Sequence, residues 1–203
     1  MSDPKPDRNS EEGWVNYFEQ TTDREPSALL TTALERFQKT GTALELGSGG
    51  GSDTRFLVEK GFTVTAVDYQ QSAKNFIQKQ ILEGKVNFVC SAFEDLELPA
   101  NQYDLINAEF SLPFVGPENF NDIFAKIKQS LQSGGVFVGQ FFGDKDEWNK
   151  PGSKYAFQTE KEALELLQGL HIIRFENDER DGVLADHKPK HWHQFNIIAQ
   201  KPE

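Results

Sequence analysis

The sequence has few of the residues that cross-link a chain or bind metal. Its 203 residues include one cysteine, Cys90, and four histidines. No intrachain disulfide framework can form, and no cysteine-based zinc site can be assembled from this chain alone. Residues 1–13 have no apolar signal core, and no apolar run approaches the roughly 20 residues that span a bilayer. We therefore expect a cytoplasmic protein without a membrane partner, and we predict no metal site.

Basic residues are also scarce relative to acidic ones. The chain has 21 Lys and Arg against 32 Asp and Glu, a net charge of −11 and a pI near 4.9. Because nucleic acids and anionic lipids are bound by clustered Lys and Arg, this balance disfavours both and favours a small-molecule partner. The seventeen Phe and a hydrophobic fraction of 37% supply a core for one domain. We expect a disordered tail over residues 1–13 and a single domain over 14–203; the oligomeric state is not indicated.

Short β-branched or aromatic runs alternate with longer amphipathic stretches, which is typical of βαβ units. The predicted strands are 42–46, 62–67, 86–90, 103–108, 135–142, 170–180 and 192–200. The predicted helices are 27–39, 52–60, 70–83, 117–132 and 158–168. The last two strands have no helix between them, so we expect an antiparallel hairpin around a loop from Asp181 to Lys190. The expected fold is α/β, a Rossmann-like three-layer αβα sandwich with a mostly parallel seven-stranded sheet and this C-terminal hairpin.

A glycine-rich turn after the first strand is the most informative segment. Glu45 and Leu46 lead into the run 47–51, Gly-Ser-Gly-Gly-Gly, and Asp68 ends the next strand about twenty residues later. Such a turn lets a ligand approach the backbone closely, and a carboxylate at that strand end can bind both hydroxyls of an adenosine ribose. Dinucleotides and S-adenosylmethionine both use this geometry. Glu45 and Asp53 would repel a diphosphate and attract a sulfonium cation, which favours S-adenosylmethionine.

Further motifs follow in order along the chain. They are Val67-Asp68, Ser91-Ala92-Phe93-Glu94-Asp95-Leu96, Tyr103-Asp104-Leu105-Ile106-Asn107-Ala108 and Leu131-Gln132-Ser133-Gly134-Gly135-Val136-Phe137. With the glycine turn, they make the chain from Ala43 to Lys201 resemble the class I S-adenosylmethionine-dependent methyltransferases. The aromatic N-terminal segment, the compact size and the closing hairpin look like the small-molecule branch, which includes thiopurine and tellurite methyltransferases. The resemblance implies S-adenosylmethionine as cofactor and a small-molecule methyl acceptor.

The resemblance also implies three groups of cofactor-binding residues. Those facing the methionine moiety are Glu45, Gly47, Ser48, Gly49 and Gly51. Those facing the ribose and adenine are Asp68, Tyr69, Phe93 and Glu94. Asn107 and Ala108 would lie beside the sulfonium. Many relatives have an Asp at the position of Ala92, so here the adenine amino group needs another acceptor, such as Ser91, Glu94 or a backbone carbonyl.

Methyl transfer is an in-line displacement that depends mainly on positioning and desolvation. If the acceptor must lose a proton, the candidate catalytic bases are Glu109 and His191, with His193 as a further candidate. The predicted acceptor-binding residues are Trp14, Tyr17, Phe18, Phe114, Trp148 and Lys190, the last of which could hold an acidic group. For the three N-terminal aromatics, packing on the domain edge is an equally good interpretation. Two other functions stay open, a nicotinamide-dependent oxidoreductase and a non-catalytic S-adenosylmethionine-binding module.

Overall fold

A mixed eight-stranded sheet forms the centre of the computed structural model, which describes residues 10–37, 40–80, 84–184 and 188–203. Its order is β3-β2-β1-β4-β5-β8-β7, and the short β6 pairs with β5. All neighbouring strands are parallel except β5 with β8 and β8 with β7. The strands are β1 Thr42–Leu46, β2 Thr63–Asp68, β3 Val86–Cys90, β4 Tyr103–Ala108, β5 Leu131–Gly143, β6 Phe157–Gln158, β7 His171–Val183 and β8 Pro189–Gln200.

Helices cover both faces of the sheet. They are α1 Glu11–Thr21, α2 Ala28–Arg36, α3 Ser52–Glu59, α4 Ala73–Gln80, α5 Pro117–Ser130 and α6 Glu160–Leu166. One hydrophobic cluster joins the sheet to α5 and α6, and a second joins it to α2, α3 and α4. These two clusters make the three layers of an αβα sandwich. No helix in the described part of the chain is long and apolar enough to cross a membrane.

The predicted sheet and its C-terminal hairpin are confirmed, with differences at the edges of elements. The two-residue β6 was not predicted, because so short a strand carries no periodicity. The hairpin is longer than expected, since Asp181 pairs with His191 and Gly182 with Lys190 inside the ladder. The polar end of β7 can pair in this way because β7 is an edge strand, and its neighbours in β8 include His191 and Lys190.

The N-terminal helix begins earlier than the sequence indicated. The Ser10 hydroxyl accepts a hydrogen bond from the Gly13 amide at 3.1 Å, and α1 starts at Glu11. Residues 10–13 of the segment expected to be disordered are therefore helical or part of a helix cap. The rest of that segment, residues 1–9, lies outside the described residues, as do the predicted helical positions 38–39 and 81–83.

Candidate functional site

The glycine turn lies at the carboxyl end of β1. Gly47, Gly49 and Gly51 have φ values of 77°, 48° and 86°, a left-handed conformation that side chains disfavour. A Cβ atom on Gly47 would also lie 2.5 Å from Cβ of Ser111. The turn is held by the amide of Gly47, which donates to the Val67 carbonyl at 2.8 Å. Glycine is thus required at position 47 by both conformation and space.

Asp68, at the end of β2, is bound to this turn. Its Oδ2 accepts a hydrogen bond from the Gly49 amide and its Oδ1 one from the Gln70 amide, both at 2.9 Å. Burial raises the pKa of Asp68, and the two hydrogen bonds oppose that shift. The end of β2 and the glycine turn therefore form one rigid unit with a carboxylate at its edge.

Three largely buried carboxylates converge beside the turn, from Glu45 in β1, Asp53 in α3 and Glu109 after β4. The side-chain amide of Asn107 donates to both Glu45 oxygens at 3.1 Å and is 3.3 Å from Oδ2 of Asp53. The pKa of Glu45 is raised well above its usual value, first by burial and then by the charge of Asp53. Burial likewise raises the pKa values of Asp53 and Glu109. This carboxylate cluster, defined as Glu45, Asp53 and Glu109, makes the region strongly attractive to a cation.

Glu109 fastens the start of α2 to the sheet. Its Oε1 accepts hydrogen bonds from the Ser27 hydroxyl and from the Leu30 amide, the latter at 2.9 Å. Its Oε2 accepts one from the side-chain amide of Gln140 at 2.9 Å. The carbonyl oxygen of the same Gln140 amide accepts from the Phe110 backbone, also at 2.9 Å. Both Glu109 oxygens thus serve protein donors, and this favours a framework role over the predicted role as a base.

The aromatic face of α1 lies against the glycine turn. Phe18 is buried, with its ring 5.7 Å from the ring of Phe76 and beside Gly49. The Trp14 ring stands edge-on to Tyr69 at 5.7 Å. Tyr17 is half-buried and packs edge-on against Trp14 at 5.8 Å. The structure thus places the three predicted residues beside Tyr69 and the turn, with Phe18 in the core.

A second group of rings lies at the carboxyl ends of β4 and β5, and we call it the aromatic cluster. Its members are Phe110, Phe114, Phe142, Trp148, Tyr155 and Trp192. Phe114 is 6.3 Å from Trp148 and 5.1 Å from Tyr155 between ring centroids. Trp148 is in turn 5.7 Å from Trp192. The predicted pair Phe114 and Trp148 is therefore brought together, while Tyr155 and Trp192 come from segments that sequence periodicity alone did not connect to it.

Lys190 is not placed to hold an acidic ligand, contrary to the sequence prediction. Its ammonium group lies 2.5 and 2.6 Å from the two oxygens of Asp146, and the side chains of both residues are completely or almost completely buried. The same nitrogen lies 3.9 Å from the ring centroid of Trp192 and 4.4 Å from that of Trp148. A lysine needs a partner to be buried, so the charge of Lys190 is satisfied within the protein.

His191, another predicted base, lies outside the carboxylate cluster and the aromatic cluster. Adjacent residues of a strand point to opposite faces, so the His191 ring is on the other side of β8 from Trp192. Its Nδ1 is 2.8 Å from Asp181 and its Nε2 3.6 Å from Glu179, both in β7. Asp181 is the main cause of the raised pKa of His191. The structure therefore places His191 in a surface network of the hairpin and gives it no contact with the carboxylate or aromatic cluster.

The remaining predicted positions differ in exposure. Ala108 is completely buried, and Phe93 is half-buried against the main core. Glu94 is exposed in the loop after β3. The sequence prediction missed the roles of Ser27 and Gln140, because each is defined by a partner 82 or 31 residues away. No local signal could have identified them.

Comparison with known proteins agrees with this geometry. A methyltransferase domain model matches residues 44–139. An uncharacterized methyltransferase of Synechocystis sp. is 29% identical over 95 residues, which are 47% of this chain and 44% of that protein. The chain therefore spans less than half the length of the curated relatives that it matches.

Two solved structures share the fold. TehB of Haemophilus influenzae superposes with a TM-score of 0.74 at 16% identity, covering 94% of this chain and 66% of that one. The 1,6-didemethyltoxoflavin-N1-methyltransferase of Burkholderia thailandensis, solved with its substrate and S-adenosylhomocysteine, gives 0.65 at 20% identity, covering 100% and 94%. Residues 44–139 thus match a methyltransferase domain model, and the chain shares the fold of both solved methyltransferase-like structures.

Proposed function

We propose that this chain transfers a methyl group from S-adenosylmethionine to a small-molecule acceptor. The observation that supports it most is the carboxylate cluster beside the glycine turn. Burial raises the pKa values of Glu45 and Glu109, and the charge of Asp53 raises them further. Such a cluster disfavours an anionic nucleotide diphosphate and favours a ligand that carries positive charge. S-adenosylmethionine, the methyl donor of this superfamily, carries a sulfonium and an ammonium group.

The polar atoms around the turn fit this cofactor. Oδ1 of Asn107 and the hydroxyls of Ser48 and Ser111 are buried, and none of the three has a hydrogen-bond partner. A buried polar atom without a partner costs about 1–3 kcal/mol, so a ligand with donor groups would lower the free energy of this region. The Gly47–Gly51 backbone provides the close approach that such a ligand needs.

The family roles can be assigned to this chain's residues on that basis. Glu45 would bind the amino group, the backbone of Gly47, Gly49 and Gly51 would contact the methionine moiety, and Asp68 would bind the ribose hydroxyls. When bound, the cofactor supplies a carbon already activated by positive sulfur. The protein then has to orient the acceptor and exclude water, and Trp14 and Tyr69 are placed to close the site from the α1 side.

An acceptor of small size is supported by the aromatic cluster and by composition. The cluster lies where open α/β sheets bind ligands, at the carboxyl ends of the strands. A net charge of −11 opposes binding to a phosphate backbone. The single cysteine agrees with a reducing compartment, and we propose that the protein works in the cytoplasm.

Titration calorimetry with S-adenosylmethionine and S-adenosylhomocysteine tests the cofactor site. Asp68→Asn should weaken both ligands by roughly tenfold, because it removes a charge-assisted hydrogen bond to the ribose. Asp122→Ala, on the exposed face of α5, is the control and should leave both affinities unchanged. A folded protein that binds neither ligand, or binds NAD as tightly, would refute the proposed cofactor.

Turnover separates an enzyme from a binding module. The assay is formation of S-adenosylhomocysteine from S-adenosylmethionine in the presence of a panel of thiols, amines, phenols and heteroaromatic nitrogen compounds. Acceptor-dependent product identifies the enzyme. Tight cofactor binding with no product across the panel would favour the non-catalytic module.

A further inference from the structure

Exposed aromatic side chains are concentrated at one place on the described surface. Six large hydrophobic side chains in the described part of the chain are exposed, and three of them are aromatic: Tyr69 at 54%, Phe110 at 46% and Phe114 at 44%. All three follow the carboxyl ends of parallel strands, β2 in the first case and β4 in the other two. Exposed apolar rings that gather at one rim mark a binding surface.

Phe110 and Phe114 belong to one continuous surface. Phe110 packs edge-on against Trp192 at 6.2 Å, and Trp192 leads through Trp148 to Phe114 and Tyr155. Tyr69 follows Asp68 at the end of β2, and its ring packs edge-on against Trp14 at 5.7 Å. The aromatic cluster thus extends from β8 to the loop after β4, at the same edge of the sheet as Tyr69.

Phe110 is held in this surface by its backbone. It has φ of 50°, an uncommon and strained value for a residue with a side chain, and its amide donates to Gln140. Gln140 is buried and is itself fixed by Glu109. Strain that the surrounding structure maintains in this way is typical of functional positions, and here it presents a ring to solvent.

The charges around these rings are negative or neutralised. The basic side chain of Lys190 contacts them, and Asp146 cancels its charge with both carboxylate oxygens. Asp146 is itself fixed by the amide of Trp148 at 3.0 Å. The other lysines of this loop are Lys145, which pairs with Glu179 at 2.6 Å, and Lys150 and Lys154; all three are exposed, so water and salt screen their charges. On the opposite side, the carboxylate cluster adds negative potential through a low-dielectric region.

We propose that the acceptor has a flat aromatic ring and is uncharged or positively charged, and that Asp146 makes the site reject anions by neutralising Lys190. This rests on the proposed function, because the aromatic cluster is taken as the acceptor side of the methyltransferase site. The rings stack on a planar ligand, and their negative faces favour a cation. An anion would have to leave water, and Lys190, the buried cation that the structure describes among these rings, is already paired with Asp146.

Three ligands of matched size test the charge preference without turnover. They are isoquinoline at pH 8, N-methylisoquinolinium and isoquinoline-3-carboxylate, titrated by calorimetry into protein saturated with S-adenosylhomocysteine. We expect the neutral and cationic ligands to bind at least tenfold more tightly than the carboxylate. Equal or tighter binding of the carboxylate would overturn the proposal, as would no binding of any of the three.

Substitutions locate the effect. Asp146→Asn removes the carboxylate that neutralises Lys190, and should improve carboxylate binding relative to N-methylisoquinolinium by at least fivefold. Asp181→Asn, an exposed residue of β7, is the matched control and should leave the ratio unchanged. Phe110→Ala should weaken isoquinoline and N-methylisoquinolinium by similar factors.

The variants also settle the remaining outcomes. An unchanged ratio in folded Asp146→Asn would refute the role of Asp146, and if that variant does not fold, the wild-type comparison and Phe110→Ala decide the rest of the proposal. Failure to bind S-adenosylhomocysteine would instead contradict the proposed function, so the two failures are distinct.

Discussion

Replacing Glu45 by Gln should stabilise the ligand-free protein and weaken cofactor binding. Glu45 is almost completely buried, and its neighbour Asp53 shares with it the side-chain amide of Asn107. The pKa of Glu45 is raised by burial and by the Asp53 charge, while the hydrogen bonds from Asn107 lower it. The unfavourable effects dominate, so the ionised carboxylate is an energetic cost in the absence of a cation.

The size of the gain follows from these contacts. Two unit charges about 6 Å apart repel by roughly 3 kcal/mol at an effective dielectric constant near 20. The Gln carbonyl still accepts from Asn107, and exchanging a charged for a neutral acceptor there costs about 1 kcal/mol. The net gain is about 1–2 kcal/mol, or roughly 3–6 °C in Tm for a chain of this length.

Stability of the variant should depend on pH in a defined direction. A raised carboxyl pKa means that the folded state holds a proton that the unfolded state has lost, so stability falls as pH rises above the usual value of 4.5 towards the raised pKa. Glu45→Gln removes this loss, and its advantage over wild type should be larger at pH 8 than at pH 5.

The assay is thermal unfolding at both pH values, followed by calorimetry with S-adenosylmethionine. Cofactor affinity should fall about 10- to 100-fold, because a charge-assisted bond to the ammonium group is lost. Glu59→Gln, at the exposed end of α3, is the control and should change neither quantity. Equal destabilisation of Glu45→Gln at both pH values, or unchanged cofactor affinity, would refute the reasoning.

Three further predictions test other parts of the site. Gly47→Ala should lower the free energy of unfolding in urea by about 2–4 kcal/mol, because the new Cβ would meet Ser111. At Gly152, an added Cβ would meet no atom within 4 Å, so Gly152→Ala should cost only about 1 kcal/mol, from its positive φ. Lys190→Met should lower the free energy of unfolding by about 3–5 kcal/mol, because it leaves Asp146 buried and unpaired. Adding Asp146→Leu should recover most of this loss. A double variant as unstable as the single one would contradict the prediction. Binding of S-adenosylmethionine near pH 6 should release protons, because the bound cation lowers the raised pKa values of Glu45 and Asp53. Calorimetry in buffers of different ionisation enthalpy measures this release, and proton uptake would contradict the prediction.

The sheet could be predicted because each parallel strand is recognisable from the pattern of its own short segment. β1, β2 and β4 are short apolar runs between helices, and each was located to within one residue. The start of β5 was placed four residues late, because Ser133 and Gly134 resemble a loop while Leu131 already pairs with Tyr103 across a register shift. Errors thus arose where pairing with a neighbouring strand determines the structure.

The candidate site was predictable where one segment supplies the geometry. The glycine turn and Asp68 are close in sequence, and their hydrogen bond could be anticipated from the motif. Lys190 was misinterpreted because its partner Asp146 lies 44 residues earlier, and neither residue alone reveals a buried ion pair. A charged residue seen in the sequence can bind a ligand only if folding does not pair it with an opposite charge.

The two ends of the site use charge in opposite ways. At the cofactor side, Glu45 and Asp53 lie together, bridged by Asn107, so a cationic ligand relieves an existing cost and should raise Tm when it binds. At the proposed acceptor side, Asp146 and Lys190 form a buried ion pair, which leaves ring faces as the main available interaction. The cofactor side would therefore attract a cation, and the acceptor side would exclude an anion. A variant that alters the charge preference of one side should leave that of the other side unchanged.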